Sequence, residues 1–197
     1  MSHHKYHTPG IILSSLPSGE ANSFLYIFTR DLGLIGAYSQ GSRNLSSKLR
    51  YGLQDFSHSL FSLISTKKGW KVVSARPLGS YFSAFKNQKE KLILSARTAS
   101  LLRRLLGGEE NNTELFDLIV SAFDSLAGRA FNHDELHSFE CLLMLRILNN
   151  LGYIGETPTF ASLLAMPLWS QSELETIGVH RREAIKTINR SLEETQM

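Results

Sequence analysis

The chain has 197 residues, of which 42% are hydrophobic and 10% aromatic, enough apolar material for the packed core of one domain or two small ones. Lys and Arg together number 21 and Asp and Glu 18, so the formal charge of +3 is too small to indicate a partner. A single cysteine, Cys141, excludes an intramolecular disulfide and any Cys-x-x-Cys metal or redox pair. The sequence contains no long uncharged apolar run and no signal-peptide pattern at its start, so we expect a cytoplasmic protein without a membrane partner.

Short apolar runs separated by turn residues fill the first part of the chain and predict five strands. These are expected over Tyr6–Leu13, Phe24–Thr29, Leu34–Tyr38, Asp55–Ser65 and Trp70–Arg76. Five short strands with no long helix between them predict a small closed or partly closed β-barrel. The oligonucleotide-binding (OB) barrel is the best-known cationic type, and an SH3-like barrel has a similar number of strands.

The apolar periodicity becomes helical near residue 80. Helices are predicted from Leu92 to Leu106, from the Asn112 or Thr113 cap to Gly128, from about Asp134 to Leu151, from the capping box at Ser170 and from Val179 to Leu192. The predicted fold class is therefore α+β, with a five-stranded OB-fold barrel over residues 1–80 followed by an α-helical bundle over residues 81–197.

The charge is distributed unevenly between these two parts. Residues 1–80 carry nine basic and three acidic side chains, a local charge of +6, whereas residues 81–197 carry a local charge of −3. Because several cations on one surface neutralise phosphates and release condensed counterions, the basic first part predicts nucleic-acid binding.

Two cation clusters are the predicted contacts to phosphates. Arg43, Lys48 and Arg50 lie in a Gly-, Ser- and Asn-rich loop whose backbone N–H groups can also approach a phosphate. A solvated loop is the alternative interpretation. The second cluster, on the hairpin between strands four and five, is also consistent with lysines that protect a sheet edge. This second cluster comprises Lys67, Lys68 and Lys71. Arg30, which follows the second strand, is the remaining cation predicted to contact DNA.

Aromatic side chains are candidates for stacking on unpaired bases. Of Tyr26, Tyr38, Tyr51 and Trp70, we expect Tyr51 and Trp70 to bind DNA because they border polar or basic residues. Alternation places Tyr26 on one strand face with Phe24 and Phe28, which predicts a core position for it. No helix carries clustered Arg, Asn and Gln, so we expect binding to be nearly independent of base sequence.

Several landmarks, taken in order, resemble those of the RecO family of bacterial DNA repair proteins. They are Gly10-Ile-Ile-Leu13, Gly19-Glu20, Phe28-Thr29, Gly33-Leu-Ile35, Gly41-Ser-Arg43 and Leu53-Gln-Asp-Phe56, followed in the helical part by Phe139-Glu140 and Leu151-Gly152-Tyr153. The chain departs from the family pattern at Asp55, where many relatives have proline. It also lacks the four-cysteine zinc insertion of some members and has a short end.

The resemblance implies a non-enzymatic mediator of recombinational repair that needs no cofactor or metal. Such a protein would bind single- and double-stranded DNA, promote strand annealing and, with RecR, help load recombinase onto DNA coated by single-strand-binding protein (SSB). It would be cytoplasmic and associated with the nucleoid during repair. The resemblance also implies that the helical domain docks the acidic C-terminal tail of SSB, and the candidate cations for that tail are Arg97, Arg103, Arg104 and Arg146.

Two alternatives remain open from the sequence. An OB-fold protein that binds RNA or the ribosome would show the same phosphate-binding features. The segment His133-Asp-Glu-Leu-His137 places two histidines at helical i and i+4 positions, as in zinc-dependent hydrolases, although no third ligand follows and Asp stands where the catalytic Glu would be. The Gly-rich phosphate loops and the nucleophile motif of common enzymes are absent from the sequence.

Overall fold

The computed structural model describes residues 4–155, 157–165 and 168–194, and it divides into two compact units, Met1–Phe116 and Asp117–Met197. Five strands form the centre of the first unit, as predicted. They are β1 (Lys5–Ser18), β2 (Asn22–Thr29), β3 (Gly33–Ser39), β4 (Ser57–Thr66) and β5 (Gly69–Ser80).

The strands close into a barrel in the order β1-β2-β3-β5-β4. β1 pairs antiparallel with both β2 and β4, and its first half pairs with β4 while its second half pairs with β2. The barrel is closed by a parallel pairing of β3 with β5, in which Ala37 lies opposite Trp70 and Tyr38 opposite Lys71. This five-stranded barrel followed by helices confirms the predicted α+β, OB-type fold class.

The barrel core is formed by side chains that alternate along each strand, and on β2 these are Leu25 and Ile27. The predicted core face of β2, which carries Phe24, Tyr26 and Phe28, is instead the outer face of the barrel. The prediction is wrong here because β2 is apolar at every position from Phe24 to Phe28, so period two alone cannot select the inner face.

Seven helices lie in the described part of the chain. They are α1 (Tyr81–Phe85), α2 (Lys89–Leu105), α3 (Thr113–Gly128), α4 (His133–Asn150), α5 (Ala161–Ala165), α6 (Gln171–Val179) and α7 (Arg181–Glu194). None of these helices combines the length and the apolar character needed to cross a membrane.

Two of the predicted caps are formed. The Leu115 N–H donates to Asn112 Oδ1 (2.9 Å), and Ser170 and Glu173 exchange the two hydrogen bonds of a capping box (2.9 and 3.3 Å).

Strands give way to helices between Ser80 and Tyr81, where the periodicity predicts the change. The compact units divide later, after Phe116, so α1 and α2 belong with the barrel. The division into domains 1–80 and 81–197 therefore stays a prediction, and it includes residues 1–3, 156, 166–167 and 195–197, which lie outside the described residues.

Candidate nucleic-acid interface

The parallel β3–β5 pairing, which we call the seam, places a cation beside an aromatic ring. Trp70 and Val72 point into the core, so Lys71 between them points outward next to Tyr38 of β3. Lys71 Nζ donates to Gln40 Oε1 (3.1 Å), and Tyr38 is 38% exposed. A lysine held by a neutral acceptor keeps its charge available to an anionic ligand.

Arg43 is held at the start of the loop that joins β3 to β4. Its Nη1 donates to the Gly19 carbonyl (3.0 Å) and its backbone N–H donates to the Ala21 carbonyl (2.9 Å), both in the β1–β2 turn. In the same loop the Gly41 N–H donates to Asn22 Oδ1 (2.9 Å). These bonds attach the exposed Arg43 to the β1–β2 turn, next to the Ser39 end of β3. Lys71 lies beside the same end of β3, so both cations are at one end of the barrel.

Lys48, Arg50 and Tyr51 follow on the same loop, and all three are exposed, with Tyr51 74% accessible. A 3-10 turn, Arg50–Gly52, anchors this part of the loop. Its carbonyl at Gly52 accepts a bond from Ser59 Oγ (3.0 Å). The loop that the sequence identifies as basic is therefore attached to the barrel wall at both ends.

Three further predicted cations lie at two other places. Lys67 and Lys68 are exposed on the tight β4–β5 turn, four and three residues before Lys71. Arg30 lies in the β2–β3 turn, where its N–H donates to the Pro9 carbonyl (3.0 Å). Because β2 runs from the Asn22 end to Thr29, Arg30 is at the opposite end of that strand from Arg43.

Trp70, predicted to stack on bases, is buried in the barrel core. Its indole Nε1–H donates to Glu109 Oε1 (2.8 Å), and its ring meets the edge of Tyr6 at 5.1 Å between centroids. This burial leaves no exposed ring face for a base, so the prediction that Trp70 stacks on DNA bases is wrong.

The outer face of β2 carries two aromatic side chains for which the sequence predicts a core position. Phe24 and Tyr26 are half-buried there and meet edge to face at 5.4 Å. The Arg103 guanidinium from α2 lies 4.1 Å from the centre of the Tyr26 ring. Sequence spacing cannot reveal this contact, because Tyr26 and Arg103 belong to elements far apart in the chain.

Arg146, predicted to dock the SSB tail from a groove rim, is instead a buried structural cation. Its side chain is 3% exposed, and Nη2 pairs with Glu173 Oε1 at 2.6 Å. Nε and Nη2 also donate to the Leu163 carbonyl (2.9 and 2.7 Å), Nη1 donates to the Leu168 carbonyl, and the guanidinium covers the Trp169 ring. Burial lowers the pKa of Arg146 while Glu173 opposes that shift, and a guanidinium that is 3% exposed does not offer its charge at the rim of a groove.

The remaining two arginines of that set, Arg97 and Arg104, are exposed on α2. In contrast to Arg146, they present their charge at the surface. Their assignment to tail docking stays a prediction.

The two histidines of the hydrolase alternative lie on the first turns of α4. His133 Nε2 and His137 Nε2 are 3.2 Å apart. Within residues 4–155, 157–165 and 168–194, no group of three or more His, Cys, Asp or Glu side chains is arranged to hold a metal ion. The pair therefore lacks the third protein ligand of a catalytic zinc site in the described structure.

Comparison with known proteins adds independent information. The family model for the N-terminal part of recombination protein O matches residues 1–81, and the model for its C-terminal part matches residues 88–156.

Individual relatives agree with these family models. The chain is 31% identical over 151 residues to the DNA repair protein RecO of Heliobacterium modesticaldum, which covers 77% of this chain and 53% of that protein. It is 35% identical over 154 residues to the RecO protein of Acaryochloris marina, covering 78% of this chain and 50% of that protein. It is 30% identical over 160 residues to the RecO protein of Alkaliphilus metalliredigens, covering 80% of this chain and 61% of that protein.

The chain thus spans between half and about three-fifths of the length of these relatives. Both family models match in the expected order, and they cover the barrel and helices α2 to α4. On these matches and on its OB-type barrel, the chain belongs to the RecO family of DNA repair and recombination proteins.

Proposed function

We propose that this chain is a non-catalytic mediator of recombinational repair that binds single- and double-stranded DNA without reading its sequence. The observation that carries the proposal is the end of the barrel at the seam, where neutral oxygen acceptors hold Lys71 beside β3 and hold Arg43 against the neighbouring β1–β2 turn. Cations held in this way attract phosphates, and contacts to phosphates carry no information about base sequence. The family relationship supports a role in repair and recombination.

The same surface suits strand annealing, because a protein that anneals arbitrary complementary strands must tolerate every sequence. We propose that the chain accelerates annealing of SSB-coated strands and that, with RecR, it helps recombinase replace SSB. The acidic SSB tail would dock on exposed helix cations, for which Arg97 and Arg104 are the candidates and Arg146 is not.

The test is a salt titration of binding to mixed-sequence single-stranded DNA. Substituting Arg43, Lys48 and Arg50 together by alanine should lower affinity at least tenfold. It should also reduce the slope of log affinity against log salt by about 2, since each lost phosphate contact on a single strand removes ~0.7. An unchanged slope would exclude this loop from the interface, and competition by matched RNA at equal strength would favour the RNA-binding alternative.

Annealing and loading need separate measurements. Complementary strands coated with SSB should anneal faster with the wild-type chain than with the triple variant. Recombinase filaments should form on SSB-coated DNA only when this chain and RecR are both present. The mediator role is wrong if either component alone gives the full rate of filament formation.

A further inference from the structure

The outer face of the barrel at β2 and β3 carries a row of aromatic side chains. Leu25, Ile27 and Ala37 point into the core. The alternate residues therefore point outward, and the strand register sets Phe24 opposite Tyr38 and Tyr26 opposite Gly36. We call Phe24, Tyr26 and Tyr38 the aromatic strip.

The strip is the uncovered part of an apolar sheet face. Farther along the same face Phe28 and Leu34 are buried, and the Phe28 ring lies against Phe116 at 5.6 Å. Phe24 and Tyr26 remain half-buried, and Tyr38 is 38% exposed. Ring surface that folding leaves open is available to a ligand with flat apolar faces.

Gly36 on β3 leaves room for the Phe24 ring to lie close against the sheet. A Cβ there would lie 2.7 Å from Cζ of Phe24, so the Phe24 ring occupies the space above Gly36. Any larger residue would lift the ring away from the sheet. The local sequence thus lays an aromatic ring across the surface of β3 instead of letting it project into solvent.

Cations border the strip on two sides and identify the class of ligand. Lys71 lies next to Tyr38 across the seam, and Arg103 covers the ring of Tyr26 with its centre 4.1 Å away. Arg103 is exposed, so one plane of its guanidinium contacts Tyr26 while the side chain remains accessible. A guanidinium plane stacks on bases as well as on aromatic rings. Flat rings flanked by positive charge match a chain of bases joined by phosphates.

We propose that the aromatic strip together with Arg103 stacks unpaired bases, so that it distinguishes single-stranded from double-stranded DNA, whereas duplexes contact only the loop cations. The inference rests on the proposed function, because it refines how the barrel binds DNA. Bases in a duplex are already stacked on one another and cannot offer their faces to the strip. Arg103 is thereby assigned to the DNA surface and not to the docking of a protein tail.

The experiment compares three probes of equal length: oligo-dT, an abasic deoxyribose-phosphate strand and a duplex. Wild-type protein should bind oligo-dT about tenfold more tightly than the abasic strand, because only oligo-dT can stack. Tyr26→Leu, which preserves apolar volume, and Arg103→Ala should each remove most of this preference. Affinity for the duplex should change less than twofold with Tyr26→Leu. Arg104→Ala, which removes a neighbouring exposed arginine, is the matched control and should retain the preference.

The outcomes separate the two proposals. If wild-type protein binds none of the probes, the proposed function fails. If it binds all three but has no preference for oligo-dT over the abasic strand, or if both variants retain that preference, the stacking assignment is overturned while DNA binding stands. Far-ultraviolet circular dichroism of each variant confirms that the barrel is folded, and Arg103→Lys distinguishes planar stacking from charge because it restores only the charge.

Discussion

Two cations of the barrel unit and three arginines of the helical unit differ in the groups that accept their hydrogen bonds. In the barrel unit Arg43 and Lys71 donate to a carbonyl and an amide oxygen, so their positive charge is positioned but not neutralised. In the helical unit Arg146, Arg181 and Arg190 each pair with a carboxylate. The difference teaches that a cation bonded to a neutral oxygen keeps a charge that the proposed DNA ligand could use, whereas a cation paired with a carboxylate is already neutralised.

The largest effect should come from the buried cation of the helical unit. Arg146→Ala leaves Glu173 and two backbone carbonyls without their donor, and breaking such a buried pair costs about 3–5 kcal/mol of unfolding free energy. Chemical denaturation measures the loss, with Arg104→Ala as the exposed control, for which we expect a change within ~0.5 kcal/mol. If Arg146→Ala lowers the unfolding free energy no more than the control does, Arg146 does not hold the fold and the contrast with the barrel cations is lost.

The stability of the barrel unit should depend more on the close approach of two backbone segments than on any single surface charge. Gly33 has φ of +69°, and a Cβ there would overlap the backbone of Glu110. Gly33→Ala should therefore cost at least ~1–3 kcal/mol of stability. Gly19→Ala is the matched control, because its φ is +65° with nothing within 4 Å, so it carries only the conformational strain of ~1–2 kcal/mol. Equal thermal shifts for both variants would show that the approach of residue 110 to β3 contributes nothing.

Neutralising a seam cation should change binding and leave stability intact. Lys71→Gln should lower affinity for single-stranded DNA a few-fold and reduce the salt slope by ~0.7. Its melting temperature should stay within about two degrees of wild type, since a bond between a surface lysine and an amide contributes little. In the helical unit, Arg190→Gln breaks an exposed pair with Glu194 and should alter neither property. A clear stability loss in Lys71→Gln would contradict the ligand-binding interpretation of the seam.

The smallest effect concerns the thiol of α4. Burial, assisted by the neighbouring charge of Glu140, raises the pKa of Cys141. The folded state then holds the thiol proton more tightly than the unfolded state does. The resulting stabilisation of the folded state is complete below the pKa of the thiol in the unfolded chain. It is lost as pH rises through the pKa of the thiol in the folded chain. As pH rises, the rate of reaction with a thiol reagent should begin to increase at a higher pH in native protein than in denatured protein. Coincident pH profiles for the two states would refute the raised pKa of Cys141.

The sequence predicts the features that depend on neighbouring residues. Strand and helix periodicities place the elements, and Asn112 and Ser170 are recognisable as caps because a cap needs only the next three residues. The wrong inner face of β2 arises because its residues are apolar without interruption, so the choice depends on how the closed barrel is covered.

The candidate site shows the same limit. The loop around Arg43 is visible as a basic segment, but its contact with Gly19 joins positions 24 residues apart. The place of Lys71 beside Tyr38 depends on a parallel pairing between strands that are not consecutive. The partners of Arg146 lie 17 to 27 residues later, so no local pattern separates a buried arginine from an exposed one.

The bonds that hold Arg43 have a kinetic consequence. A long side chain that is mobile in the free protein loses rotamer entropy when a ligand immobilises it, at about 0.5–1.5 kcal/mol for each such side chain. Because the Gly19 and Ala21 carbonyls already restrict Arg43, much of that loss occurs during folding. Under the proposed function, DNA would meet a preorganised contact at Arg43, and encounter would not have to wait for the loop to rearrange.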